Sequence, residues 1–264
     1  MAITTLDGLI AAASQRVGIF KTASRTSVAA IPFSVFDQAG NPGAGTLAGT
    51  STTAGVVPTD ATAGFPSINA FGGATGYISK IEFGNTVAAR MTLFDCLFKA
   101  GAYAFNANVT LSAQPSYSTR VLGGTDYTNT EIWLETVTAF TGNQSIAVTY
   151  TNQSGTAGRS TGTIATGVAP TVGRMLQLPL QAGDTGVQKI ESVVSTVATV
   201  GTFNVLVLRR LWQGRVRIAN DGDVHDMLKT GLPQIFEDSA LMVVVTADST
   251  ATGLPEIVCE VVAG

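Results

Sequence analysis

Apolar and polar positions alternate through much of the second half of the chain. Ile146, Val148 and Tyr150 fall two apart, as do Phe203, Val205, Val207 and Arg209. A period of two puts each set on one face of a strand. Runs of this kind cover residues 131–140, 145–151, 159–164, 174–180, 186–195, 202–212, 241–246 and 256–262. The stretches between them carry turn chemistry, such as Thr141-Gly142-Asn143 and Ala182-Gly183-Asp184. About eight short strands at this spacing predict a mainly β chain, with a jelly-roll-like β-sandwich over residues 129–264. Residues 213–239 form an insertion longer than a hairpin needs, and loops of that length are often functional.

The first half follows other patterns. Ile3, Leu6, Leu9, Ile10 and Ala13 recur at helical spacing, with Thr4 or Thr5 as a cap, and predict one short amphipathic helix over residues 3–16. Such a helix is too short to stand alone and must dock on something. Residues 31–76 are dominated by Gly, Ala, Thr and Pro, a composition that does not build regular elements. Yet Phe33, Phe36, Phe65, Ile68 and Phe71 are scattered through it, and a disordered linker carries few aromatics. Residues 1–75 are therefore expected to form the helix and an extended assembly arm, with Phe33, Phe36, Phe65 and Phe71 inserted into a neighbouring subunit. A self-packed long loop is the alternative. In the connecting region, residues 76–128, Met91, Phe94, Asp95, Leu97 and Phe98 fit successive helical turns ending at Gly101 and predict a short buried helix.

Charge sharpens the picture. Only 12% of the residues are charged, against about 25% in typical soluble domains, while the apolar share of 45% is ordinary. A monomer usually keeps a more charged surface, so a chain this neutral points to a surface covered by partners; a Thr-rich monomer is the alternative. A net charge of −3 argues against bulk nucleic-acid binding, which needs Lys and Arg to neutralise phosphates. No run approaches the roughly 20 apolar residues of a membrane helix. The first residues lack the basic start of a secretion signal, so synthesis in a cytoplasm is expected. Cys96 and Cys259, each with apolar neighbours, read as reduced core residues.

Candidate chemistry is sparse. His225 is the single histidine, there is no Gly-x-Ser-x-Gly elbow, and neither cysteine sits in a nucleophile context, so no catalytic residue, cofactor site or enzyme activity is expected. Asp221, Asp223, His225 and Asp226 could gather around a metal. The twelfth position of a calcium loop starting at Asp221 is Leu232, however, and a polar surface turn is the favoured reading, with no metal. Arg209, Arg210, Arg215 and Arg217 precede these aspartates closely and could pair with them locally or across a subunit contact; Arg215 and Arg217 join the phenylalanines as candidate interface residues. Trp133 and Trp212 fall within predicted strands, which makes them core residues before they are a sugar platform.

Residues 93–101 (Leu-Phe-Asp-Cys-Leu-Phe-Lys-Ala-Gly), Gln114-Pro115-Ser116-Tyr117, residues 123–129 (Gly-Gly-Thr-Asp-Tyr-Thr-Asn) and residues 179–187 (Pro-Leu-Gln-Ala-Gly-Asp-Thr-Gly-Val) resemble a family of tailed-bacteriophage virion structural proteins. The resemblance runs from about residue 90 to residue 250. It implies a virion protein assembled in the host cytoplasm, first of all a capsid decoration (cement) protein that stabilises the head lattice. The implied partners are the major capsid protein and copies of the chain itself, as a trimer. A tail tube or tail-completion protein is the second reading, and a surface carbohydrate-binding module the third.

Overall fold

The computed structural model describes residues 5–140, 142–167, 171–195 and 200–264. It opens with α1 (Leu6–Ala11), followed by β1 (Ala13–Lys21), β2 (Pro32–Ser34), β3 (Gly40–Asn41), β4 (Gly76–Asn85), β5 (Ala89–Ala104) and β6 (Asn108–Thr110). The middle of the chain forms β7 (Thr130–Thr138), β8 (Ser145–Asn152), β9 (Arg159–Ser160), β10 (Ile164–Ala165), β11 (Met175–Leu178) and β12 (Val187–Ser195). Then come β13 (Thr202–Val216), β14 (Asp221–His225), α2 (Met227–Thr230), β15 (Gln234–Ile235), β16 (Leu241–Ala247) and β17 (Glu256–Ala263). The chain is mainly β and sandwich-like, as its alternation predicts.

It divides into two units. Unit 1 comprises residues up to Gly45, Thr59–Asp95 and Leu211–Gly264; unit 2 comprises Thr46–Pro58 and Cys96–Arg210. In unit 1 one sheet runs β14-β4-β17-β1-β3, with β15 also on β4. A second layer is built on β16, which pairs with β2 and with the first residues of β5. Val17, Ile19, Ile78, Ile81, Phe83, Ile257 and Val261 from the first layer meet Met91, Leu93, Val243 and Val245 from the second in one core cluster. Each fully buried side chain of this size contributes about 1.5–3 kcal/mol by leaving water.

Unit 2 repeats the principle. One sheet runs β10-β8-β12-β6 with β9 beside β8, and a second has β7 between β11 and β13. Ile146, Val148 and Tyr150, the alternating trio, pack with Ile190 and Val193 against Ile132, Leu134, Phe203, Val205 and Val207.

Several expectations are corrected. The expected sandwich over residues 129–264 is instead two units, neither of them contiguous in sequence. The predicted helix over residues 3–16 is six residues long: Thr5 caps it, its Oγ1 accepting from Gly8 N at 3.0 Å, and from Ala13 the chain is β1. Ile3 and Thr4 lie outside the described residues. Strand wins because Val17, Ile19 and Lys21 alternate inward when β1 pairs with β17. The helix predicted near residues 91–101 is the middle of β5, a strand buried on both faces. Burial on both faces removes the period-two signal and leaves a continuous apolar run that mimics a helix. The described part of the arm expected over residues 1–75 belongs to the fold: β1 and β2 are paired strands of unit 1. The strand predicted at 159–164 is two short pieces, β9 and β10, both paired with β8.

Candidate functional site

The four phenylalanines expected at an interface lie elsewhere. Phe33 sits on β2 opposite Val245 and is completely buried. Phe36 and Phe65 are buried against each other with ring centroids 4.6 Å apart. Gly45 and Gly64 press so closely on the Phe36 ring that neither has room for a Cβ. Phe71 is half-buried against the unit 1 core, and its N–H donates to Glu237 Oε1 at 2.6 Å. The segment thus buries its aromatics within its own unit, which corrects their assignment to a neighbouring subunit.

Arg215 and Arg217, by contrast, are exposed and line a cleft of about 400 Å³ in unit 1 together with Arg90, Gln213, Gly214, Asp223, His225 and Lys229. Strand alternation places Gln213, Arg215 and Arg217 outward while Gly214 and Val216 face inward. Gln213 Nε2 donates to Thr92 Oγ1 at 3.3 Å, tying β13 to β5 beside Arg90. At the cleft wall Trp212 Nε1 donates to His225 Nδ1 at 2.9 Å. An indole N–H can only donate, so Nδ1 is the acceptor, and the neutral ring carries its proton on Nε2. Phe83 stacks edge-on against both rings, at 4.6 Å and 5.0 Å. Gly214 is required here, because a Cβ would collide with Trp212 and Phe83.

Arg210 and Arg215 form ion pairs that reach outside residues 209–226. Arg210 pairs with Glu131 at 3.0 Å, and Arg215 with Asp248 at 3.1 Å across an exposed gap. Asp221 Oδ1 and Asp223 Oδ1 accept from Gly222 N (2.9 Å) and Val224 N (2.8 Å), while Asp226 caps α2 through Leu228 N and Lys229 N. Asp223 Oδ2 stands 3.7 Å from His225 Nε2. The predicted turn is in fact strand β14 running into a cap. Among the described residues no three His, Cys, Asp or Glu side chains come together as metal ligands.

A second surface lies at α1. None of its six residues is buried, Leu6 is 56% exposed and Ile10 75%. With Leu9, Met227 and Val262 they line a shallow groove of about 310 Å³.

Unit 2 holds a polar cluster of a different kind. Asp184 accepts from Arg159 Nε (2.9 Å), Asn152 Nδ2 (2.7 Å) and Tyr150 Oη (2.7 Å). The Arg159 hydrogen bond foremost holds the Asp184 carboxyl down to about 2, and burial first, then Asp184, pushes the Tyr150 hydroxyl up to about 12. Every member faces another, so the cluster pins the Ala182-Gly183 turn and offers no free group.

No family model matches the chain, and no curated protein matches it. Solved structures similar to it include that of the infectious bursal disease virus Gx strain, at 9% identity and TM-score 0.18, covering 96% of this chain and 80% of that one. A mutant VP2 protein of infectious bursal disease virus aligns at 10% identity and TM-score 0.19, covering 96% and 78%. At such TM-scores the likeness carries no argument about this chain.

The cleft was only half visible in the sequence. Arg215 and Arg217 stand out as neighbours of a basic cluster, whereas Arg90 and Lys229 reach the same cleft from β5 and α2. Their sequence separation leaves no local signal. Trp133 and Trp212 are buried, as their strand positions predict, and Cys96 and Cys259 are buried and not joined in a disulfide.

Proposed function

We propose that this chain is a non-enzymatic structural protein of a virus particle, a capsid decoration protein of a tailed bacteriophage that stabilises the head by packing against the major capsid protein and other copies of itself. The observation that carries the packing role is α1. A six-residue helix has no stability of its own in water, and one that leaves Leu6 and Ile10 exposed gains little from its own unit. Contact with another subunit would supply the missing burial. The low charge of the chain supports the same reading, and the sequence resemblance over residues 90–250 supplies the virion and the phage. A protein that binds only the assembled lattice stabilises it by mass action.

Gold-labelled antibody against the chain, applied to intact particles, tests this. Label spread over the head is the expected result. Label confined to the tail would replace the decoration reading by the tail reading, and absence of label from particles that contain no other copy-number-matched band would overturn the virion assignment.

A further inference from the structure

We propose that the cleft of Arg90, Arg215, Arg217, Lys229 and His225 is a docking site for a short acidic segment of a partner protein; this rests on the assembly reading above. Charge is scarce in this protein. The whole chain has 15 Lys and Arg against 18 Asp and Glu, yet four cationic side chains from three separate elements converge on one cleft that contains a single carboxylate, Asp223. Like charges brought together this way repel one another, and a free-standing fold gains nothing from it.

No ion pair within the described residues holds Arg90, Arg217 or Lys229. The Arg215–Asp248 pair is half-exposed on both sides, so an incoming carboxylate can exchange with Asp248 at little cost. Guanidinium groups present fixed forks of N–H donors that match carboxylates in two-point contacts. The Trp212 hydrogen bond fixes the His225 ring with its Nε2–H directed away from the indole, on the side where Asp223 Oδ2 stands 3.7 Å off.

The occupant is a protein segment and not a nucleic acid for three reasons. A volume of about 400 Å³ admits a few side chains, not a strand of nucleotides. Next to the cleft on β14 and β4 stand Asp221 and Glu82, which border adjoining hollows and would repel a polyanion long enough to run on past the cleft. Base stacking needs an open aromatic face within the cleft, and the aromatic at its wall, Trp212, is buried. A short acidic stretch flanked by apolar or basic residues meets none of these obstacles, since Phe20, Val224 and Leu254 lie exposed among the acidic groups.

The test uses the full chain and a dye-labelled hexaglutamate peptide, read by fluorescence anisotropy. Saturable binding is expected, weakened about tenfold or more by the double reversal Arg217→Glu with Lys229→Glu and by raised salt. Reversal at Lys189 in unit 2 should leave it unchanged. Both cleft side chains are exposed and unpaired, and unchanged near-UV circular dichroism verifies the fold; should the reversal perturb it, Arg90→Gln with Arg217→Gln serves instead. Equal loss with Lys189→Glu, or no loss with either cleft variant, overturns the site. Tighter binding of a single-stranded oligonucleotide of equal charge, or displacement of the peptide by equimolar inorganic phosphate, overturns the choice of occupant. Particle labelling needs no peptide. A chain that labels the head but ignores hexaglutamate therefore loses this inference alone, and one that binds the peptide but labels no particle loses the virion reading alone.

Discussion

Arg120 in unit 2 and Arg217 in unit 1 carry the same charge in opposite circumstances. Arg120 is completely buried and donates to the carbonyl oxygens of Pro58 and Cys96. Nearby in sequence, Lys99 Nζ reaches Thr46 O at 3.1 Å and Glu135 Oε2 at 3.7 Å. Together these cations fasten the segment Thr46–Pro58 to the start of unit 2's portion of β5. A Gly- and Thr-rich segment that cannot form regular structure is held by donors aimed at its carbonyls. Among the described residues Arg217 holds no ion pair or hydrogen bond. On the acidic-segment proposal above, its acceptor lies on another molecule.

Substitutions graded by burial would break or sharpen this contrast. The largest loss is expected for Arg120→Leu, which leaves two buried carbonyls without their donor and should cost about 3 kcal/mol in urea unfolding. An unchanged midpoint would mean that the segment 46–58 is held by its apolar contacts alone. Asp184→Asn comes next, with Tm lowered by roughly 2–4 °C at pH 7, about the effect of one charge-assisted network bond. The folded carboxyl titrates near 2, below its usual 3.8, so its stabilisation is present above pH 4 and disappears as pH falls towards 2. The two melting curves should therefore converge in acid, and a constant gap would contradict the assigned network. Arg215→Ala removes a pair exposed on both sides and should change stability by about 0.5 kcal/mol or less. Arg217→Ala should leave the melting curve where it is while weakening hexaglutamate binding. A clear loss of stability there would show that the arginine serves its own fold after all.

How much of this could be read beforehand depended on what each strand buries. Ile146, Val148 and Tyr150 were legible because β8 has one wet face, which keeps the alternation clean. The middle of β5 was not, since Leu93 to Ala100 is buried on both sides and its apolar run has no period. The glycine-rich segment misled for a related reason. Its composition does forbid regular elements over most of residues 42–75, but Phe36 and Phe65 find each other through a close approach at Gly45 and Gly64 that no local pattern encodes. The cleft lay beyond reach for the same cause, as Arg90 and Arg217 are brought together only by the pairing of distant strands.

One detail of β14 bears on how its open edge is protected. The strand lies at the end of its sheet, where exposed backbone groups invite a second molecule to add itself as another strand. Asp221 and Asp223 turn their carboxylates back onto the N–H groups of Gly222 and Val224. Those two donors are occupied, and a like strand from another copy would bring two negative charges against two more. Addition of a like strand at this rim is thereby disfavoured.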